Sequence, residues 1–177
     1  MNSIQKQIKK ALVLIGVIAL LPACWSFDKK EAKKESLYVL NVLDKEDYND
    51  CRIAGSTNVP FNDVKDFAKN LDKNTEIVVY CANYMCSSSG SAAQQLKELG
   101  FQNVWAYEGG TAEWYQLGLK EGGKFPVEGS CKAGYLSAPN DKPAHDENMT
   151  VPVISAQELH AKMVSHGLLA TQAPVQE

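Results

Sequence analysis

The chain has 177 residues, enough for one domain with a substantial core and short of two at roughly 150 residues each. Its formal net charge is -3, and no basic cluster occurs beyond the first ten residues and the stretch around Lys29 to Lys34. This argues against a nucleic-acid surface and leaves one domain with appendages.

At the amino end, Lys6, Lys9 and Lys10 precede the apolar run Ala11 to Leu21. That run is too short to span a bilayer with margin and suits the apolar region of an export signal. Leu21-Pro22-Ala23-Cys24 resembles the bacterial lipobox, which implies that residues 1–23 are a signal peptide and that Cys24 is acylated. An ordinary cleaved signal or an uncleaved anchor are the alternatives. Several acyl chains on one cysteine, each CH₂ contributing about 0.8 kcal/mol, would anchor the protein without spanning the membrane. Trp25 stands where inner-membrane lipoproteins typically carry Asp, which points to an outer membrane and a periplasm-facing protein.

Residues 24–36 form a tether dense in charge (Asp28, Lys29, Lys30, Glu31, Lys33, Lys34, Glu35) and poor in apolar groups. The folded domain is expected over 37–121. Leu37 to Leu43, Ile77 to Tyr80 and Val104 to Tyr107 read as buried strands. Lys45 to Asp50 reads as a helix, as does Phe61 to Asn70 with Val64, Phe67 and Ala68 at helical spacing. Ser89 to Leu99 is a third, with Ala92, Ala93, Leu96 and Leu99 on one face and Gly100 as its stop. Strands alternating with helices predict an α/β fold, a mostly parallel sheet covered on both faces.

Cys81 falls where the strand ending at Tyr80 gives way to a polar loop and then to a helix. Unpaired N–H groups and the positive end of the helix dipole stabilise a thiolate or persulfide at such a junction. The plainer reading is a small buried hydrophobe at a strand end. Ligands of open α/β sheets bind beyond the carboxyl ends of the strands, where Cys81 lies.

The stretch Ile77 to Leu99, followed by Gly100 to Val104 and then Tyr107-Glu108-Gly109-Gly110-Thr111-Ala112-Glu113-Trp114, resembles the rhodanese-like domain. Asn41-Val42-Leu43, Asp47-Tyr48, Ile53, Gly55 and Asn58-Val59-Pro60 resemble the family's amino-terminal signature, so the likeness runs from about Leu37 to Gly118. The resemblance implies that Cys81 accepts a sulfane sulfur from a donor such as thiosulfate, holds it as a persulfide and passes it to a thiol or cyanide. It also implies that Ala82, Asn83, Tyr84, Met85, Cys86, Ser87 and Ser88 form a loop whose amides cradle the terminal sulfur as an oxyanion hole would. No cofactor is called for.

The departures from the family pattern bear on activity. No Arg or Lys occurs between Cys81 and Gln95, so thiosulfate lacks its best ion partner. The loop is about two residues longer than the common form, a Cys-x4-Cys followed by Ser. Related phosphatases carry Cys-x5-Arg, whereas Ser87 stands here, which argues against phosphate-ester chemistry. Asn41, Leu43 and Cys51-Arg52 replace Asp, Arg and Gly-His of the amino-terminal signature, removing an ion pair. Cys86, five residues from Cys81, is a candidate resolving thiol that would attack a persulfide at Cys81 and close a disulfide.

With Cys24 acylated, Cys51, Cys81, Cys86 and Cys131 remain, and their spacing leaves three pairings open. Cys51–Cys131 as a staple with Cys81–Cys86 as a redox pair is the preferred division. His145, His160 and His166 lie beyond the core and read as solvent-facing, so no metal site is expected near Cys81.

Residues 122–177 read as a Gly- and Pro-rich linker and a tail with one helix in Val153 to Leu169, capped by Ser155 and Glu158. Ile154 to Leu159 looks like the segment that opens a rhodanese-like domain, so the tail either packs where that segment belongs or is the remnant of a second repeat. Two function classes follow. One is an envelope-anchored sulfurtransferase or dithiol redox carrier that meets a small sulfur donor or thiol acceptor. The other is a non-catalytic binding module offering the same loop to an envelope protein.

Overall fold

The computed structural model describes residues 36–142 and 150–170, so the export segment, Cys24 and the tether up to residue 35 lie outside the described residues. In chain order, β1 is Leu37–Asn41, α1 is Lys45–Asp50, β2 is Cys51–Ile53 and β3 is Thr57–Asn58. A 3-10 turn at Phe61–Asp63 leads into α2, Val64–Ala68, and then β4, Glu76–Tyr80. After it come α3, Ser88–Glu98, β5, Asn103–Tyr107, and α4, Gly110–Lys120. β6, Val127–Gly129, a second 3-10 turn at Gly134–Leu136 and α5, Ala156–Ser165, complete the list.

The main sheet has the order β3-β1-β4-β5, every pairing parallel, while β2 and β6 form a separate antiparallel pair. Successive side chains of a strand point to opposite faces, and β4 shows this directly. Ile77 and Val79 join one apolar cluster with Leu40, Leu96 and Phe101, whereas Val78 and Tyr80 join another with Val39, Trp114, Phe125 and Leu159. A strand buried on both faces has no polar alternation, which is why β4 reads as an unbroken apolar run.

The predicted strands and helices appear with shifted ends. Phe61 to Asn70 divides into a 3-10 turn and a five-residue helix. Three short strands, β2, β3 and β6, were not expected, since two or three residues carry no readable period. The Gly- and Pro-rich stretch after Gly118 differs from its linker-like composition: β6 pairs with β2, and Phe125 and Leu136 are buried. Cys131 is joined to Cys51 with 4.6 Å between the Cα atoms, and Cys81 and Cys86 are free. Beside this disulfide the Asp50 carboxylate accepts from Ser130 Oγ and the amides of Lys132 and Ala133, and the Ser130 hydroxyl, ahead of the others, holds its pKa below the ordinary value.

The tail packs onto the domain. Val153 bridges Ala106 in parallel, with Ala106 N donating to Pro152 O and Ile154 N to Ala106 O, both at 3.0 Å, so the tail covers the open edge of β5. α5 starts with the expected capping box of Ser155 and Glu158 and buries Leu159 and Met163. Lys162 pairs with Glu76 at the start of β4 and lies 4.5 Å over the Trp105 ring. Two of the histidines differ from expectation, because His160 packs 5.3 Å from the Phe125 ring and His166 Nε2 lies 3.7 Å from Glu76, while His145 lies outside the described residues. No helix among the described residues is long and apolar enough to cross a membrane.

The disulfide spans 80 residues of sequence, a closure long enough to restrict the unfolded chain strongly. Replacing both cysteines, Cys51→Ala with Cys131→Ala, is expected to lower the unfolding free energy by about 2–4 kcal/mol in urea titration. An unchanged midpoint and slope would show that the bond does not hold this segment.

Candidate functional site

β4 delivers Cys81 to the carboxyl edge of the sheet between β1 and β5, and the start of α4 fixes it there. Thr111 N and Thr111 Oγ1 donate to the Cys81 carbonyl at 3.0 and 3.3 Å, and Ala112 N donates to the Ala82 carbonyl at 2.9 Å. The first turn of α4 thus spends its free N–H groups on the root of the loop. Gly110 permits the approach: its φ is +61°, and a Cβ there would lie 2.6 Å from the Cys81 oxygen and the Ala82 carbonyl carbon. Further along the helix, Trp114 is fully buried, donates from Nε1 to Pro126 O at 3.0 Å and meets Phe125 edge-on. The Gly-Gly-x-x-x-Trp spacing is therefore a docking device for the thiol loop.

The loop turns sharply, with Cys86 N donating to Asn83 O at 3.0 Å. This folds Cys86 back over Cys81. Cys81 is 0 % exposed, and its S–H donates to the Cys86 carbonyl at 3.0 Å and to Ser89 Oγ at 3.4 Å. Cys86 is half-buried and packs against the apolar cluster that contains Cys81.

These surroundings polarise the pair. The Cys86 sulfur beside it, and then burial, push the Cys81 thiol far above the ordinary thiol value, against the opposing Ser89 hydroxyl and amide. The neighbouring Cys81 thiol pulls Cys86 well below that value, helped by Ser88 and by the Ala82 amide and opposed by burial. The two belong to one coupled titration, and the first proton leaves from Cys86.

The expected cradle of consecutive amides around Cys81 differs from this arrangement. Tyr84 N donates to Asn140 Oδ1 at 3.2 Å, Met85 N to Asn83 Oδ1 at 3.0 Å and Cys86 N to Asn83 O, so none of these three faces a sulfur. The side chain beside the Cys81 sulfur is Ser89, whose Oγ lies 3.4 Å away. Met85 points outward, 84 % exposed, and Ser87 accepts from Ser91 N within the first turn of α3. The physical reason is the longer loop, whose Asn83 turn takes up the Met85 and Cys86 amides.

Glu113, Gln116 and Asn140, given no role from the sequence, complete the site. Tyr84 and Tyr107 hydroxyls both donate to the Glu113 carboxylate, at 2.9 and 2.8 Å. Asn140 clasps the loop, since its Nδ2 donates to Gly109 O at 3.2 Å while its Oδ1 takes the Tyr84 amide. Gln116 Nε2 holds the strand of chain leading to Asn140 by donating to the carbonyls of Leu136 and Ala138. Glu113 lay in the recognised motif but carried no signal of its own, and Asn140 stood in a linker-like stretch. Asn41, where the family pattern has Asp, keeps a polar role by accepting the Leu43 amide at 2.9 Å.

Beside the loop is a cleft of about 250 Å³, lined by Tyr84, Glu108, Glu113, Lys142 and the start of α5 through Glu158. Its ionic lining is three carboxylates to one ammonium. Among the described residues no cluster of His, Cys, Asp or Glu could hold a metal ion.

Residues 27–117 match the model of the rhodanese-like domain. The chain is 32% identical over 82 residues to the thiosulfate sulfurtransferase GlpE of Coxiella burnetii, covering 46% of this chain and 75% of that protein. It is 32% identical over 89 residues to YrkF of Bacillus subtilis, named as a candidate sulfur carrier, covering 50% of this chain and 47% of that one. A crystal structure of the BH2092 protein from Bacillus halodurans superposes with a TM-score of 0.48 at 33% identity, covering 59% of this chain and 73% of that one. The chain belongs to the rhodanese-like domain family.

Gly110→Ala is expected to destabilise the protein by about 1–3 kcal/mol from backbone strain, with the steric conflict at Cys81 and Ala82 added. Gly122→Ala is the control, since Gly122 has a φ of +60° and open space around its Cβ position. Equal losses in the two variants, measured by urea unfolding, would show that the close approach at Gly110 costs nothing.

Proposed function

We propose that the protein is a sulfurtransferase or sulfur carrier that bears sulfane sulfur on the thiol pair Cys81 and Cys86. The observation that carries this reading is the pairing itself. Two free thiols share one strand-loop-helix junction, one fully buried and one partly exposed. A persulfide is a soft anion with the same needs as a thiolate, and N–H donors that lower one thiol's pKa also hold the terminal sulfur. The printed names of the relatives, a thiosulfate sulfurtransferase and a candidate sulfur carrier, support the same class of chemistry.

The donor on this reading is an organic persulfide rather than thiosulfate. No Arg or Lys stands between Cys81 and Gln95, and the adjoining cleft carries Glu108, Glu113 and Glu158 against Lys142 alone. Thiosulfate carries its double charge next to the sulfur it transfers and meets net repulsion there, whereas an organic persulfide holds its other charges away from the transferred sulfur.

The protein works in the bacterial cell envelope, lipid-anchored through Cys24 and facing the periplasm. The Lys6, Lys9 and Lys10 cluster, the apolar run after it and Leu21-Pro22-Ala23-Cys24 support this placement. The Cys51–Cys131 disulfide supports it independently, because such staples persist in oxidising compartments.

The purified, reduced protein given a brief pulse of glutathione persulfide and quenched at once is expected to yield protein-bound sulfane sulfur on cold cyanolysis, and much less after thiosulfate. The double variant Cys81→Ser with Cys86→Ser should yield none. Wild type and double variant alike without label would leave the non-catalytic binding module as the reading.

A further inference from the structure

The two thiols differ in what an approaching sulfur donor would meet. Cys81 has no exposed surface, and its sulfur lies 3.0 Å from the Cys86 carbonyl oxygen. A negative sulfur at that position would face the negative end of a carbonyl dipole in a water-free pocket. Cys86 has partial exposure, and the Cys81 thiol, then Ser88 and the Ala82 amide, favour its anion against burial. The same turn at Asn83 lays the Cys86 backbone over Cys81 and leaves the Cys86 side chain partly exposed.

We propose that Cys86 is the nucleophile that takes the sulfane sulfur and Cys81 the resolving thiol, the reverse of the order implied by the family resemblance. The assignment rests on the reading of the thiol pair as a sulfur-bearing site. In the first step the Cys86 thiolate attacks the outer sulfur of an organic persulfide R–S–SH. The bond between the Cys86 sulfur and the outer sulfur forms, the S–S bond of the donor breaks, and R–S⁻ leaves with its electron pair. In the second step Cys81 attacks the inner sulfur of Cys86–S–SH. The new Cys81–Cys86 bond forms, hydrosulfide departs with the bonding pair, and the Cys81 proton leaves with it as hydrogen sulfide. The sulfane sulfur is reduced and two thiols are oxidised, so the site turns over once per disulfide until a dithiol reductant of the same compartment reopens it. Ser89, which accepts the Cys81 proton at 3.4 Å and directs its amide to the same sulfur, supports the Cys81 anion during attack.

The test uses the full-length protein and glutathione persulfide, with acid quenching and peptide mass spectrometry to locate the added sulfur. In wild type, a brief pulse is expected to place it on Cys86, followed by hydrogen sulfide release and a Cys81–Cys86 disulfide. Cys81→Ser and Cys81→Ala should load Cys86 and release no hydrogen sulfide, while Cys86→Ser should load at least about tenfold more slowly. Sulfur found on Cys81 after the wild-type pulse, a measurement independent of whether any variant folds, would overturn the order of roles while preserving the reading of the pair. Retention of wild-type loading in Cys86→Ser would overturn it as well. Absence of label from both cysteines in wild type would instead remove the underlying reading.

Discussion

The site is organised by the meeting of a helix start with the end of a strand. The N–H groups of Thr111 and Ala112 engage the carbonyls of Cys81 and Ala82, and this is feasible because Gly110 has no side chain to hold the backbones apart. From that contact follow the position of Cys81 at the sheet edge, the direction in which the loop leaves it and the place of Glu113 beneath Tyr84 and Tyr107. Trp114, packed in the opposite core against Tyr107 and Phe125, holds the helix in register with the sheet. A shift at this junction would move the thiols with the tryptophan, since α4 couples both.

Within that frame, the identity of the ionised sulfur is an electrostatic question settled over a few ångströms. Helix-end amides favour an anion, and by position Cys81 has the first claim to them. The longer loop alters the outcome by interposing a carbonyl over Cys81 and bringing a second, partly exposed sulfur to the junction. The loop is braced outside the motif as well: Asn140 occupies the Tyr84 amide and Gly109 carbonyl, and Gln116 secures the chain that carries Asn140. The polypeptide after Gly118 is thus part of the site's support, and the disulfide and Asp50 fasten that segment to α1 and β2.

Much of the fold was legible because its signals were long and redundant. β1, β4 and β5 are apolar runs buried on both faces, and α3 carries Ala92, Ala93 and Leu96 on a helical stripe ended by a glycine at φ +90°. The cap of α5 could be read from Ser155 and Glu158 because a capping box is a local reciprocal pattern. β2, β3 and β6 were not legible, being too short for a period and dependent on partners far along the chain. At the site, Cys81 and Cys86 were readable as a pair. Their division of roles was not, because it depends on where the Asn83 turn aims the Cys86 carbonyl and side chain. Asn140 was invisible for a related reason: its partners are 56 and 31 residues away, and its neighbours look like a linker.

The central claim is that the negative charge of the reduced pair resides on Cys86 while Cys81 remains a thiol. Cysteine Cβ carbon shifts reveal thiol ionisation residue by residue, and following both resonances by NMR across pH separates the two sites without altering either. The account predicts that Cys86 titrates well below the ordinary thiol range of about 8.5, with Cys81 unchanged through neutral pH. Ionisation of Cys81 before Cys86 would contradict it.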